Sequence, residues 1–126
     1  MPLKILLVED DFIIKMFIEK VLNRMGCNLI GYAQTGQEGI DIAIEKKPDL
    51  ILMDIGIKGD IDGIETAIKI SEIFNPLLIY ITGNSDIATV KRAKKTNPLK
   101  IIHKPIDEES LYKDLYAICY ANVNTE

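Results

Sequence analysis

Four short runs of Ile, Leu and Val punctuate the chain, at Ile5 to Val8, Leu50 to Met53, Leu77 to Ile81 and Ile101 with Ile102, and none alternates polar with apolar residues. Unbroken apolarity over so short a span marks a strand covered on both faces. Leu29 to Ala33 is a weaker fifth run, interrupted by Gly31. The segments between the runs carry apolar residues three and four apart, so the chain reads as strand then helix, five times over. Such alternation builds a parallel sheet with right-handed crossovers. Covering both of its faces with five helices gives a doubly wound α/β fold.

Caps set the helix boundaries. Asp11 opens a helix from Phe12 to Met25 whose stripe of Ile14, Phe17, Ile18, Val21 and Met25 faces the sheet, and Gly26 stops it. Thr35 opens a second through Ile40, Ala43 and Ile44, ended by Pro48; Asp62 or Gly63 opens a third through Ile64, Ala67, Ile68 and Ile73, ended by Asn75 and Pro76. Ser85 or Asp86 opens a fourth, stopped by Asn97 and Pro98, and Asp107 opens a fifth with Glu108 and Glu109 at its positive end. One domain over residues 1–121 and a polar tail over residues 122–126 account for the 126 residues.

Composition narrows the function classes. Apolar residues at 48% and charged residues at 27% suit an ordinary globular core. Fifteen Lys and Arg against nineteen Asp and Glu leave a net charge of −4, so no global positive field gathers nucleic acid or an anionic membrane. No run approaches the roughly 18 apolar residues of a membrane span, and Lys4 with the acidic stretch Glu9 to Asp11 does not read as a secretory leader. Cys27 and Cys119 read as reduced thiols of a cytoplasmic protein.

In a doubly wound sheet, ligands bind beyond the carboxyl ends of the strands. Just after the runs stand Glu9, Asp10 and Asp11, then Asp54, then Thr82 with Gly83, then Lys104 with Pro105. Taken singly, each is an ordinary capping or turn residue. Taken together they gather carboxylates whose mutual repulsion calls for a cation, and hard oxygen ligands beside a Thr and a Lys suit Mg²⁺ and phosphoryl transfer. Asp54 is the candidate nucleophile, since a carboxylate is already ionised and needs no helper base. Glu9 and Asp10 are the candidate metal ligands, with a backbone carbonyl from the loop after Asp54. Thr82 and Lys104 are candidates for binding the phosphoryl oxygens.

Jointly and in this order, these motifs resemble the receiver domain of two-component response regulators. ILLVEDD, with Glu9 and Asp10, is similar to the family's acidic pair, and DLILMD, ending in Asp54, to its phosphoacceptor strand. DGIE from Asp62, Thr82 and Lys104-Pro105 match its remaining marks. The resemblance implies a flavodoxin-like five-stranded sheet in the order 2-1-3-4-5 and Mg²⁺-dependent transfer of phosphate from the histidine of a sensor kinase to Asp54. It further implies self-catalysed dephosphorylation in place of enzymatic turnover, and a shape change spreading from Thr82 that controls an output protein or attached domain. In the family the first helix and the loop after Lys104-Pro105 dock on the kinase, which here would use Phe12, Ile13, Met16 and Ile106. The surface between the fourth and fifth helices, beside the Tyr112, Tyr116, Tyr120 stripe, serves for dimers or output partners.

The chain departs from the family pattern in three places. The loop IGIKGDI after Asp54 is one residue longer, Gly56 offers the metal a carbonyl but brings no side chain, and Ile101 stands where an aromatic switch residue is usual. The basic run Lys91, Arg92, Lys94 and Lys95 reads as a solvated helix face, and His103 as structural. Three rivals share parts of this inventory: a haloacid-dehalogenase-type phosphatase, a receiver that has lost phosphorylation, and a flavin carrier. The acidic pair precedes the nucleophile, which argues against the first. All the phosphorylation residues are present, which argues against the second, and no phosphate loop follows the first strand, which argues against the third. No length remains after the fifth helix for an output domain, so the chain is expected to act alone or to be a fragment.

Overall fold

A computed structural model of the chain describes residues 3–123, with side chains described for residues 3–120. The elements are β1 (Ile5–Val8), α1 (Phe12–Arg24), β2 (Leu29–Ala33), α2 (Gly36–Lys46), β3 (Leu50–Met53), α3 (Gly63–Ser71), β4 (Leu77–Thr82), α4 (Ile87–Lys94), β5 (Lys100–His103) and α5 (Glu108–Val123). The five strands form one parallel sheet in the order β2-β1-β3-β4-β5. Val8 pairs with Met53, Met53 with Tyr80, and Thr82 with His103, so the carboxyl ends of the strands share one edge.

Strand periodicity divides the core in two. Ile5, Leu7, Leu50, Leu52, Ile79 and Ile81 point to one face and pack with Ile18, Val21 and Leu22 of α1 and Leu111 and Leu115 of α5. Leu6, Val8, Ile51, Met53 and Tyr80 point to the other, against Ile40, Ala43, Ile64, Ala67, Ile70 and Ala93. Each Ile, Leu, Val or Met side chain among these, taken from water, contributes roughly 1.5–3 kcal/mol. β1 and β3 are buried throughout, as two-sided cover requires. β5 is an edge strand whose Lys100 and His103 are exposed, so its short apolar pair does not signify burial on both faces and His103 holds no core position.

The caps form where the sequence places them. Asp11 accepts from the backbone N–H of Ile13 and Ile14, Thr35 from Glu38, Asp86 from Thr89 and Asp107 from Ser110. Asp62 caps α3 in a reciprocal box with Glu65. α3 closes at Ser71, well before Asn75 and Pro76; Ile73 lies beyond it and is exposed, Ile68 is on its open side, and Ile70 takes the buried position. In α5 Leu111, Leu115 and Cys119 are buried, with Ile118 packed partly buried beside them; Cys27 is buried too, and both cysteines are free thiols. Asn122 and Val123 carry helical backbone at the end of α5, and residues 124–126, the rest of the expected polar tail, lie outside the described residues. α4 is the least embedded helix, with Ala93 alone buried. Just past it, the Thr96 hydroxyl shares a 2.8 Å hydrogen bond with the phenol of the enclosed Tyr80. No described helix is long and apolar enough to cross a membrane.

Candidate functional site

The sheet ladder runs one residue past the apolar strands and so fixes the polar residues that follow them. Glu9 N–H donates to the Ala33 carbonyl at 2.9 Å, Asp54 N–H to Val8 at 2.9 Å, and Lys104 N–H to Thr82 at 2.9 Å. Three strand ends are thereby locked in register, and their side chains converge. One carboxylate oxygen each from Glu9, Asp10 and Asp54 lies within 4.8 Å of the others. The Lys104 ammonium donates to Glu9 Oε1 at 3.0 Å and to Asp54 Oδ2 at 3.1 Å. Glu9 and Asp54 are buried, and Asp10 is half-buried at the mouth. Asp11, fourth of the acidic candidates, is exposed and serves α1 as its cap.

Burial makes this cluster electrostatically tense. Desolvation, reinforced by the Asp54 charge, pushes the Glu9 carboxyl up to about 7, against the opposing hydrogen bonds from Lys104 and the Asp11 amide. Burial works to lower the Lys104 ammonium, but its hydrogen bond to Glu9 and the charges of Asp54 and Glu9 outweigh that and raise it, so it stays protonated. One cation thus serves two buried anions, which leaves room for further positive charge. Three converging carboxylates suit a small, hard divalent ion that binds oxygen ligands at about 2.0–2.1 Å and keeps several waters.

Thr82, on the adjoining strand end, is buried; its Oγ1 accepts from the Asn84 N–H at 3.1 Å, and its backbone is tied to Lys104. Gly56 is exposed beside the cluster, donating its N–H to Asp54 Oδ1 at 3.3 Å, and a Cβ there would meet nothing within 4 Å. No carboxylate stands two residues after Asp54, as the phosphatase alternative would need. Gly63 is a positional residue that sequence reasoning assigned only to the opening of a helix. A Cβ on it would overlap the Asp54 carbonyl oxygen and approach Ile55 Cα to 2.8 Å, so α3 starts hard against the backbone of the candidate nucleophile. The Asp-Gly pair signals a turn but not that approach.

Comparison with known proteins follows the same lines. The family model for the response regulator receiver domain matches residues 5–116. Transcriptional regulatory protein PdtaR of Mycobacterium tuberculosis is 30% identical over 110 residues, which are 87% of this chain and 53% of that protein, so the chain spans about half of that relative's length. Sporulation initiation phosphotransferase F of Bacillus subtilis is 30% identical over 109 residues, 86% of each chain. Among solved structures, the signal receiver domain of a modulated diguanylate cyclase from Desulfovibrio desulfuricans G20 superimposes over the whole of both chains with a TM-score of 0.87 at 28% identity. The response regulator domain of Thermotoga maritima CheB does so over 100% of this chain and 99% of its own with a TM-score of 0.84 at 23% identity, a likeness of fold.

Proposed function

The chain belongs to the receiver-domain family of two-component response regulators, and from that premise we propose that it takes a phosphoryl group from a phosphohistidine of a sensor kinase onto Asp54. The observation that carries this reading is the Lys104 ammonium held between Glu9 and Asp54, with Asp10 beside them. An Asp54 carboxylate oxygen attacks phosphorus, the histidine N–P bond breaks, and the ring nitrogen leaves with its electron pair to be protonated. Lys104 and the Thr82 hydroxyl hold the phosphoryl oxygens as charge develops on them. Glu9, Asp10, Asp54 and the Gly56 carbonyl would hold Mg²⁺, which when bound supplies positive charge to those oxygens. Release of phosphate is hydrolysis of the aspartyl phosphate by water reaching the open side at Gly56. The protein on this reading is a signalling phosphoacceptor, not a turnover enzyme.

The surroundings agree with a receiver's partners. Phe12, Ile13 and Met16 stand 53%, 71% and 52% exposed on α1 next to the cluster, an apolar face suited to the helices of a kinase. On α5 the Tyr112, Tyr116 and Tyr120 rings follow one another at 5.8 and 4.5 Å between centroids, but Arg24 covers the Tyr112 ring and the Tyr120 hydroxyl donates to the Met25 carbonyl, so the stripe lies against the end of α1, and a homodimer or output protein would use the surface between α4 and α5. The receiver unit is taken as residues 1–121 and its working compartment as the cytoplasm.

Incubation with a small-molecule phosphodonor and Mg²⁺ tests the proposal. Acid-labile, hydroxylamine-sensitive labelling is expected in the native chain and absent in Asp54→Ala. Label that survives the substitution removes Asp54 from its role. Absence of label in the native chain favours a receiver that only binds partners, and sustained release of phosphate from a phosphomonoester favours a phosphatase.

A further inference from the structure

Between α3 and α4, away from the acidic cluster, the fold leaves a cavity of about 560 Å³. Its origin lies in the sequence of α4. A helix packed against α3 would normally offer apolar residues to the seam, but here the side turned toward α3 carries Arg92 and Lys95, one turn apart, while Ala93 is the only buried residue of the helix. Ile68 of α3 is left 45% exposed beside them, while Ile64, Ala67 and Ile70 pack in the core. Ile68 and the edge of Ala67 on α3, with Pro76 and Leu78 at the side, offer the cavity its apolar surface, while Ile51, Ile64 and Ile70 lie beneath as packed core.

No acidic residue lines the cavity. Arg92 pairs with Asp62 at 3.2 Å, using part of a guanidinium that carries five donors, and among the described residues no carboxylate pairs with Lys95. The volume falls within the range of about 300–1,000 Å³ typical of small-molecule sites, in which an apolar floor gives affinity and a few polar groups fix orientation.

We propose that this cavity binds an amphipathic monocarboxylate, its apolar body over Ala67, Ile68 and Leu78 and its carboxylate between Arg92 and Lys95. The basic run of α4, otherwise a solvated face, thereby gains a ligand. The site needs neither Asp54 nor a metal, so it stands or falls apart from phosphotransfer.

Octanoate is the probe, titrated into the uniformly ¹⁵N-labelled full chain and followed by amide chemical shifts, with acetate and octanol as comparators. Saturable shifts confined to α3, the end of α4 and the start of β4 are expected, with a dissociation constant on the order of 1 mM. Acetate, lacking the body, and octanol, lacking the charge, should bind about tenfold more weakly or less. Lys95→Glu, at an exposed position, should weaken octanoate by at least about tenfold, and Ala67→Leu should block it by filling the floor. Small-donor labelling of Asp54 should be unchanged in Lys95→Glu. No shift, equal shifts with octanol, shifts centred on the α1 patch, or binding indifferent to Lys95→Glu would each overturn the proposal. Saturable binding of an acidic leucine-bearing peptide with octanoate inert would overturn it in favour of a protein partner.

Discussion

Lys104 donates to the Asp54 carboxylate at 3.1 Å across 50 residues of sequence. The same ammonium neutralises Glu9, so its removal strands two buried anions. Lys104→Ala should cost the metal-free protein about 3 kcal/mol near pH 7.5. The loss should shrink near pH 5, where Glu9 can take a proton, and Mg²⁺ should restore part of it. Urea denaturation reads all three, and an unchanged midpoint at pH 7.5 would mean that the bridge contributes nothing net.

Glu9 gives the metal-free protein an inverted pH dependence. Its carboxyl, raised from 4.5 to about 7 in the fold, binds its proton more tightly folded than unfolded. Its contribution therefore favours folding fully below about 4.5 and fades as pH rises through about 7, a change on the order of 3 kcal/mol. Melting profiles of the native chain in chelator should fall between pH 5 and pH 8 relative to Glu9→Gln, which lacks the titration. Parallel profiles would show that Glu9 is not held as described.

Gly63→Ala should destabilise the fold by about 2 kcal/mol, because the atoms in the way are backbone and cannot rotate aside. It should also slow phosphorylation of Asp54, whose carbonyl must yield. Stability and labelling rate both equal to the native values would contradict the close approach.

Gly56→Gln should leave stability within about 0.5 kcal/mol, since the position is exposed and open. A side chain there narrows the path of attacking water, so the phosphorylated state should persist several-fold longer. Phosphate release measured after removal of donor checks this, and an unaltered lifetime would place the water's route elsewhere.

The legibility of this chain follows a physical division. Runs buried on two faces declared β1 and β3, and Asp11, Thr35, Asp62 and Asp107 declared the helix starts, because both signals are local. The polar residues at the strand ends were readable once the topology was known, since Glu9, Asp54 and Lys104 meet through ladder hydrogen bonds any parallel sheet supplies. What escaped the sequence depends on neighbours. The end of α3 at Ser71 is decided by packing that buries Ile70 and leaves Ile73 outside, and the exposure of His103 by β5 having a partner on one side only. The need for glycine at position 63 is invisible until the Asp54 backbone is beside it.

Ile101 lacks the aromatic ring that its position usually carries, but its cross-strand partner is Tyr80. The phenol of Tyr80 stands one strand inward, sealed from solvent and hydrogen-bonded to Thr96. A ring so enclosed cannot flip outward without vacating a hole of its own volume, which close packing forbids. Tyr80 and Thr82 lie on the same side of β4, so the strand end that carries the buried hydroxyl of the site is anchored through Tyr80 to Thr96, just past α4.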